Sequence, residues 1–155
     1  MTAADPARVE GERLAEIYRR IGESRMRALP IYNLALTVAA LGFRQEAEGI
    51  YGMVLTPWFL NLVHLPADAA GLRQGDIITR RLPAGEVEFI VGVVDGFGPV
   101  PACSLFSPMF EFSDQATAQA TAEAAMAALW TRPQAPDAAV IGRRQLLFGR
   151  VAETP

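Results

Sequence analysis

Cys103 and His64 are the residues of this 155-residue chain whose types could support nucleophilic chemistry. A cysteine nucleophile needs a base that takes its proton, and His64 is the only histidine in the chain. His64 alternates with apolar residues in a predicted strand, and a lone strand cysteine is usually an inert core residue. We therefore predict that the protein is not an enzyme, with a small Cys103-dependent redox enzyme as an alternative.

The other residue types that could bind a cofactor are not arranged for it. One cysteine and one histidine cannot form an ordinary zinc site. The glycine-containing segment 92–98 lacks the lysine and the strand–loop–helix setting of a phosphate-binding loop. Glu86 and Glu88 lie two residues apart, which is typical of a solvated strand face. No cofactor and no metal are expected.

Residues 142–150 read Gly-Arg-Arg-Gln-Leu-Leu-Phe-Gly-Arg, the pattern of a twin-arginine export signal. Such a signal belongs at an N-terminus, so here it cannot direct export. Two interpretations stay open. The apolar residues of this C-terminal arm complete the core or add an edge strand. Alternatively, the arm imitates a signal peptide and occupies a groove made for one. The residues concerned are Arg143, Arg144, Leu146, Leu147 and Phe148.

The preceding part of the chain has the opposite character. Residues 82–131 contain no basic side chain and six carboxylates. The net charge of −3 argues against a general nucleic-acid binder. A hydrophobic fraction of 51% makes surplus apolar surface plausible, yet no apolar run reaches the roughly 18–20 residues that span a bilayer. An acidic, apolar region followed by an arginine–apolar arm indicates a peptide-binding protein without membrane insertion. The polar, acidic start is not a secretory signal, so we expect a cytoplasmic protein.

The elements that must position these residues can be placed by pattern. Asp5-Pro6 predicts the start of a helix over about 6–26, and Ser113 or Asp114 starts an alanine-rich helix over 113–130. Between them, 31–106 is mainly sheet. The predicted strands cover 32–38, with Gly42 as a turn, and then 49–55, 58–65, 76–82, 86–94 and 102–106. Residues 133–155 form a linker and the arm. We therefore expect one α+β domain: a mostly antiparallel sheet with the N-terminal and C-terminal helices packed on it, plus the C-terminal arm.

Two segments are candidates for binding. The strand 58–65 is apolar on both faces, so it is buried on both sides or one side awaits a partner. The connection 106–112 carries four large apolar residues before a helix, and it either fills the bottom of the core or forms a binding lip. The candidate partner-binding residues are Trp58, Phe59, Leu60, Leu62, Glu86, Glu88, Phe106, Met109, Phe110 and Glu111.

Four short motifs give a resemblance to a known family. They are Thr56-Pro57-Trp58-Phe59, Leu82-Pro83-Ala84-Gly85, Cys103-Ser104-Leu105-Phe106-Ser107-Pro108 and the arm 142–150. Each is weak alone, but in this order, over about residues 30–150, they resemble the HybE-type accessory proteins of [NiFe]-hydrogenase assembly.

The resemblance implies a cytoplasmic maturation chaperone with no enzymatic activity and no obligate cofactor. Its implied partners are the iron–sulfur small-subunit precursor of the hydrogenase, the twin-arginine signal peptide of that precursor, and other maturation accessory proteins. Some related proteins are linked to a rubredoxin-like domain, whose paired cysteines this chain lacks. A structural or scaffold subunit of an assembly complex remains the alternative from a different class.

Overall fold

An antiparallel six-stranded sheet forms the centre of the fold in a computed structural model, which describes residues 5–133. Two three-stranded meanders, β1–β2–β3 and β4–β5–β6, join through the antiparallel pair β3 and β6, giving the order β1-β2-β3-β6-β5-β4. The α+β prediction is confirmed. The five residues singled out in the arm, Arg143 to Phe148, lie outside the described residues. The strands are β1 Ala39–Glu46, β2 Gly49–Thr56, β3 Phe59–Pro66, β4 Ile77–Leu82, β5 Gly85–Val94 and β6 Gly98–Phe106.

Both helices begin at the acidic caps that the sequence indicates. Helix α1 spans Pro6–Ile21, and the Asp5 carboxylate accepts a hydrogen bond from the Ala7 amide at 3.0 Å. A π-helical turn, Gly22–Met26, continues it to the predicted end. Helix α2 spans Gln115–Leu129, and the Asp114 carboxylate accepts from the Thr117 amide at 2.7 Å. None of the helices within 5–133 is long and apolar enough to cross a membrane.

The two helices cover opposite faces of the sheet. Successive residues of a strand point to opposite faces, and the neighbours Leu62 and Val63 belong to different core clusters. Val63 packs in a cluster with Leu14 of α1, whereas Leu62 packs in a cluster with Ala118 of α2. Of the two interpretations of the strand 58–65, burial on both sides is therefore the one observed.

The hairpin β4–β5 turns at Pro83 and Ala84 and has one wet face, as its alternating sequence predicts. Val87, Phe89 and Val91 are buried, while Glu88 and Ile90 are exposed.

The prediction of a strand over 32–38 is wrong, since residues 33–38 form an irregular connection before β1. The Asn33 side chain accepts a hydrogen bond from the Ala35 amide, which bends the backbone locally. Gly42 is not the predicted turn either. It lies inside β1 with a positive φ of 66°, at the register shift between Leu41 and Arg44.

The Phe43 ring fixes the distance between α1 and the sheet. It lies between the backbones of Gly11 in α1 and Gly52 in β2. A Cβ added to Gly11 would come within 2.7 Å of the Phe43 ring, and a Cβ added to Gly52 would approach it more closely still. Glycine at these positions lets an aromatic ring separate the two layers.

Candidate peptide-binding surface

His64 and Cys103 do not form a catalytic pair. His64 is buried, and both of its ring nitrogens have hydrogen-bond partners. Nδ1 lies 3.1 Å from the Ile50 carbonyl oxygen, and Nε2 accepts from Nε of Arg80 at 3.0 Å. With Arg80 donating to Nε2, the ring is a neutral imidazole that donates from Nδ1, and no nitrogen remains to take a proton from Cys103.

The surroundings of His64 favour this neutral form. Burial lowers the pKa of His64 below its usual value of 6.5, and the nearby Arg80 charge lowers the pKa further. The hydrogen bond to Ile50 and the charge of Glu48 act in the opposite direction. The ring stacks on Tyr51 with centroids 4.3 Å apart. The geometry is that of a structural histidine. Among residues 5–133, no group of three or more His, Cys, Asp or Glu side chains could hold a metal.

Four of the ten predicted binding residues are core residues, so the expectation that they form a surface needs correction. Leu60, Leu62 and Met109 have no exposed area, and Trp58 is only 8% exposed. Trp58 stacks on Tyr32 with centroids 6.0 Å apart, in an aromatic group that includes Tyr18 and Phe59. Burial raises the pKa of the Tyr18 hydroxyl to about 12.

The other six residues lie in three places. Phe59 is half-buried beneath α1, against Tyr18. Glu86 and Glu88 lie on β5. A third group surrounds a depression of about 370 Å³ between β6 and α2, lined by Phe106, Ser107, Pro108, Phe110 and Glu111.

The connection 106–114 is held by buried anchors while its middle is exposed. Met109 and Phe112 are buried, and Phe112 packs edge-on against Phe106 with centroids 4.9 Å apart. Between the anchors, Phe110 is 61% exposed and Glu111 is exposed. The phenylalanine at the surface is therefore displayed by a fixed loop.

A second loop lies beside the first, and the sequence analysis missed it. The Asn33 amide nitrogen donates to the carbonyl oxygens of Met109 and Phe112, at 2.9 and 2.8 Å. The Gln115 side chain accepts from the Thr37 amide at 2.8 Å and donates to the Thr37 carbonyl oxygen at 3.2 Å. We call residues 29–37 and 106–114 together the loop surface.

The loop surface concentrates exposed apolar side chains. Of the eight large apolar side chains that are exposed within residues 5–133, four lie here. Leu34 is the most exposed, at 73%. The available signal was the run from Leu29 to Leu34, which is mostly apolar and contains a proline. The four residues are Leu29, Ile31, Leu34 and Phe110.

The charge on the loop surface has one sign. Its two ionisable side chains with a charge at neutral pH are Glu111 and Asp114, and its two segments contain no arginine. Hydrogen bonds from Thr117 lower the pKa of Asp114. By contrast, a depression of about 450 Å³ beside α1 is lined by Arg13, Arg20 and Arg25 with Glu16 and Asp95. The loop surface and the depression beside α1 therefore differ in the sign of the charge that dominates them.

Residues 10–149 match the family model described as "[NiFe]-hydrogenase assembly, chaperone, HybE". The chain belongs to this family. The hydrogenase expression/formation protein HupJ of Bradyrhizobium diazoefficiens is 46% identical over 152 residues, covering 92% of this chain and 89% of that protein. The probable rubredoxin HupJ of Rhodobacter capsulatus is 38% identical over 116 residues, covering 73% of this chain and 42% of that protein.

The solution structure of HybE from Escherichia coli has the same fold as this HybE-family chain. Its TM-score is 0.63 at 27% sequence identity, with 90% of this chain and 89% of that chain covered. The resemblance stated from four motifs is therefore confirmed, and with it membership of a hydrogenase assembly chaperone family.

Proposed function

We propose that this protein holds the [NiFe]-hydrogenase small-subunit precursor through its twin-arginine signal peptide, on the loop surface, until assembly is complete. The observation that carries the proposal is the pairing of exposed Phe110 and Leu34 with Glu111 on two loops joined by hydrogen bonds. A twin-arginine signal offers arginines and then apolar residues, which is the complementary order of chemistry. Because the precursor has not yet been exported, binding takes place in the cytoplasm.

The role proposed is binding without catalysis. The His64 ring is fully hydrogen-bonded inside the core, which argues against a Cys103-dependent redox enzyme. A chaperone must also release its precursor. A surface made of a few exposed side chains suits a moderate affinity, with a Kd on the order of 10 μM. Recognition by exposed loops whose backbone is already fixed keeps the ordering cost low on the chaperone side.

Titration of a labelled twin-arginine signal peptide against surface variants tests the proposal. Phe110→Ser and Leu34→Ser should each weaken binding by about 10-fold or more, because an aromatic or aliphatic contact contributes roughly 1.5–3 kcal/mol. Glu111→Arg should weaken binding of the arginine peptide more than that of a peptide carrying two glutamines in place of the arginines.

Matched controls lie elsewhere on the same protein. Val9 is an exposed aliphatic residue on α1, and Glu123 is an exposed carboxylate on α2. Val9→Ser and Glu123→Arg should leave the affinity within about twofold of the unaltered protein. Loss of binding in these controls, or unchanged binding in the three loop-surface variants, would contradict the proposal.

A scaffold subunit is the competing function, and it predicts a different partner. A chaperone for the precursor copurifies with small subunit that still carries its signal peptide. A scaffold copurifies in fixed proportion with the mature complex. Mass spectrometry of the small subunit recovered with the tagged protein, in unaltered and Phe110→Ser forms, separates these two outcomes.

A further inference from the structure

One half of the α1 side of the sheet has no cover among the described residues. Strand register places Val63, Ala102, Ile90 and Ile77 in one row across β3, β6, β5 and β4. Val63 is 1% exposed beneath α1, whereas Ile90 and Ile77 are 58% and 64% exposed. The apolar row is therefore covered by α1 at β3 and exposed to solvent on β5 and β4. We call the outer part of this side, on β4 and β5, the open face.

The open face becomes acidic towards the β4–β5 turn. Glu88 is paired with Thr79, and Glu86 is paired with Arg81 in the next row. The Glu86 and Arg81 side chains lie 3.9 Å apart, and both are exposed to solvent in part. Moving away from the turn along β5, the order is therefore Glu86, Glu88 and then Ile90.

The C-terminal end of helix α2 lies at this turn. The Ala84 amide, in the β4–β5 turn, donates a hydrogen bond to the Leu129 carbonyl oxygen at 3.1 Å. The described chain ends at Pro133, four residues later. Leu129, the last residue of α2, therefore lies beside the β4–β5 turn, at the acidic end of the open face.

We propose that the C-terminal arm of this chain covers its own open face. Beyond the turn, the arm presents Arg143 and Arg144 and then Leu146, Leu147 and Phe148. The arginines meet Glu86 and Glu88, and the apolar residues cover Ile90 and Ile77. The charge and the apolarity of the arm and of the face follow the same order away from the turn.

The length of the chain allows this placement. The ten residues from Pro133 to Arg143 span at most about 33 Å. Glu86 to Ile90 covers only about 14 Å along the strand. The two other possible occupants are a second copy of the chain and an external peptide. The open face carries two carboxylates, Glu86 and Glu88, and one arginine, Arg81, which already lies 3.9 Å from Glu86. A second copy would add the same net negative charge, whereas the arm supplies two further cations.

The arm and the loop surface are then separate. The inference does not rest on the proposed function, because the open face shares no residue with residues 29–37 or 106–114. An arm on the open face leaves the loop surface free, although the arm resembles a signal peptide. Removal of residues 134–155 should therefore leave signal-peptide affinity unchanged.

Disulfide trapping in the full-length chain tests where the arm lies. In a Cys103→Ser background, Ile90→Cys is combined with Leu146→Cys or with Leu147→Cys. The matched control replaces Ile90→Cys by Val93→Cys. Val93 lies on the same strand, is similarly exposed at 53%, and faces the opposite side three residues away. We expect at least one Ile90 pair to form a disulfide within one chain about 10-fold faster than the matching Val93 pair.

The alternative outcomes overturn the inference. Equal rates for the Ile90 and Val93 pairs would mean that the arm has no fixed place on the open face. Disulfides found only between two chains would assign the face to a second copy. Charge reversal gives a second readout: Glu88→Arg should slow trapping, and adding Arg144→Glu should restore the rate. A trapping rate that stays low in the double variant would show that Arg144 does not pair with Glu88, which contradicts the proposed placement of the arginines.

Discussion

The Asn33 side-chain amide donates a 2.8 Å hydrogen bond to the carbonyl oxygen of Phe112, joining two loops that are 79 residues apart in the chain. Its second hydrogen bond, to the Met109 carbonyl oxygen, places both ends of the Phe110–Glu111 segment under the control of one side chain. The amide therefore holds the shape of the loop surface.

Replacing Asn33 by alanine should loosen both loops at once. The Phe112 carbonyl group loses its bond from Asn33, and the Met109 carbonyl group keeps the 3.3 Å hydrogen bond from the Phe112 amide, so the free energy of unfolding should fall by about 1–3 kcal/mol. Hydrogen exchange of amides in 109–114 should accelerate, and signal-peptide affinity should fall with it. Asn61→Ala is the control, because the Asn61 Oδ1 is buried without a hydrogen-bond partner in the described part of the chain. Equal exchange rates at 109–114 in the two variants would contradict this role of Asn33.

Gly52→Ala should destabilise the fold through Phe43. The added methyl group would collide with the Phe43 ring, and overpacking of this kind costs about 1–3 kcal/mol. In a Phe43→Ala background, the same change should cost much less, since the ring is gone. A double-mutant cycle of urea unfolding measures the coupling. Additive losses would show that the ring is not the reason for glycine at position 52.

Helix α2 should accept a larger side chain on its exposed side but not on the side that packs against the sheet. Ala122 is fully buried against the sheet, whereas Ala120 is exposed. Ala122→Leu should lower the free energy of unfolding by about 1–3 kcal/mol, because the helix lies close to Tyr51 and Met53 in the same core cluster. Ala120→Leu should change it by less than about 0.5 kcal/mol. Similar losses in both variants would contradict the observed packing.

The single histidine makes the pH dependence of stability testable. The pKa of His64 is lowered in the folded protein, so the unfolded chain binds a proton more readily. The neutral His64 imidazole therefore contributes to the free energy of unfolding above pH 6.5. This contribution is lost as the pH falls from 6.5 towards the pKa of His64 in the folded protein. Proton NMR of the imidazole should show a midpoint below 6.5. Urea unfolding at pH 7.5 and 5.5 should show a smaller loss of stability in His64→Gln than in the unaltered protein, and a midpoint at or above 6.5 would contradict the assignment.

Local signals were enough for much of the fold. Asp5 and Asp114 each satisfy amide donors at a helix start, so the helices begin where these residues stand. The alternation of polar and apolar residues along β5 predicted its solvent-exposed face, because successive side chains there point alternately to the core and to solvent. The strand expected over 32–38 failed for a non-local reason. Asn33 bonds to carbonyls 76 and 79 residues away, and no pattern within its own segment contains that information.

The candidate binding residues also divide into those that local sequence patterns could identify and those that depend on distant contacts. Phe110 and Glu111 could be found because an apolar run in a loop is unusual. Leu60 and Leu62 appeared equally apolar, but which face of a strand is covered depends on where a distant helix packs. Leu34 was missed because it was assigned to a strand. Sequence patterns identified which side chains are apolar, and the packing of α1 and α2 determined which of them are exposed to solvent.

The arrangement of the sheet also sets an order for its formation during synthesis. Strands β1–β3 lie within residues 39–66, so this meander and its α1 cover can assemble as soon as they leave the ribosome. The other side of the same strands, with Tyr51, Met53 and Leu62, stays bare until residues 115–129 have been made. A nascent chain stalled before that point would display an apolar, aggregation-prone sheet, so the synthesis of α2 is the step that covers this surface.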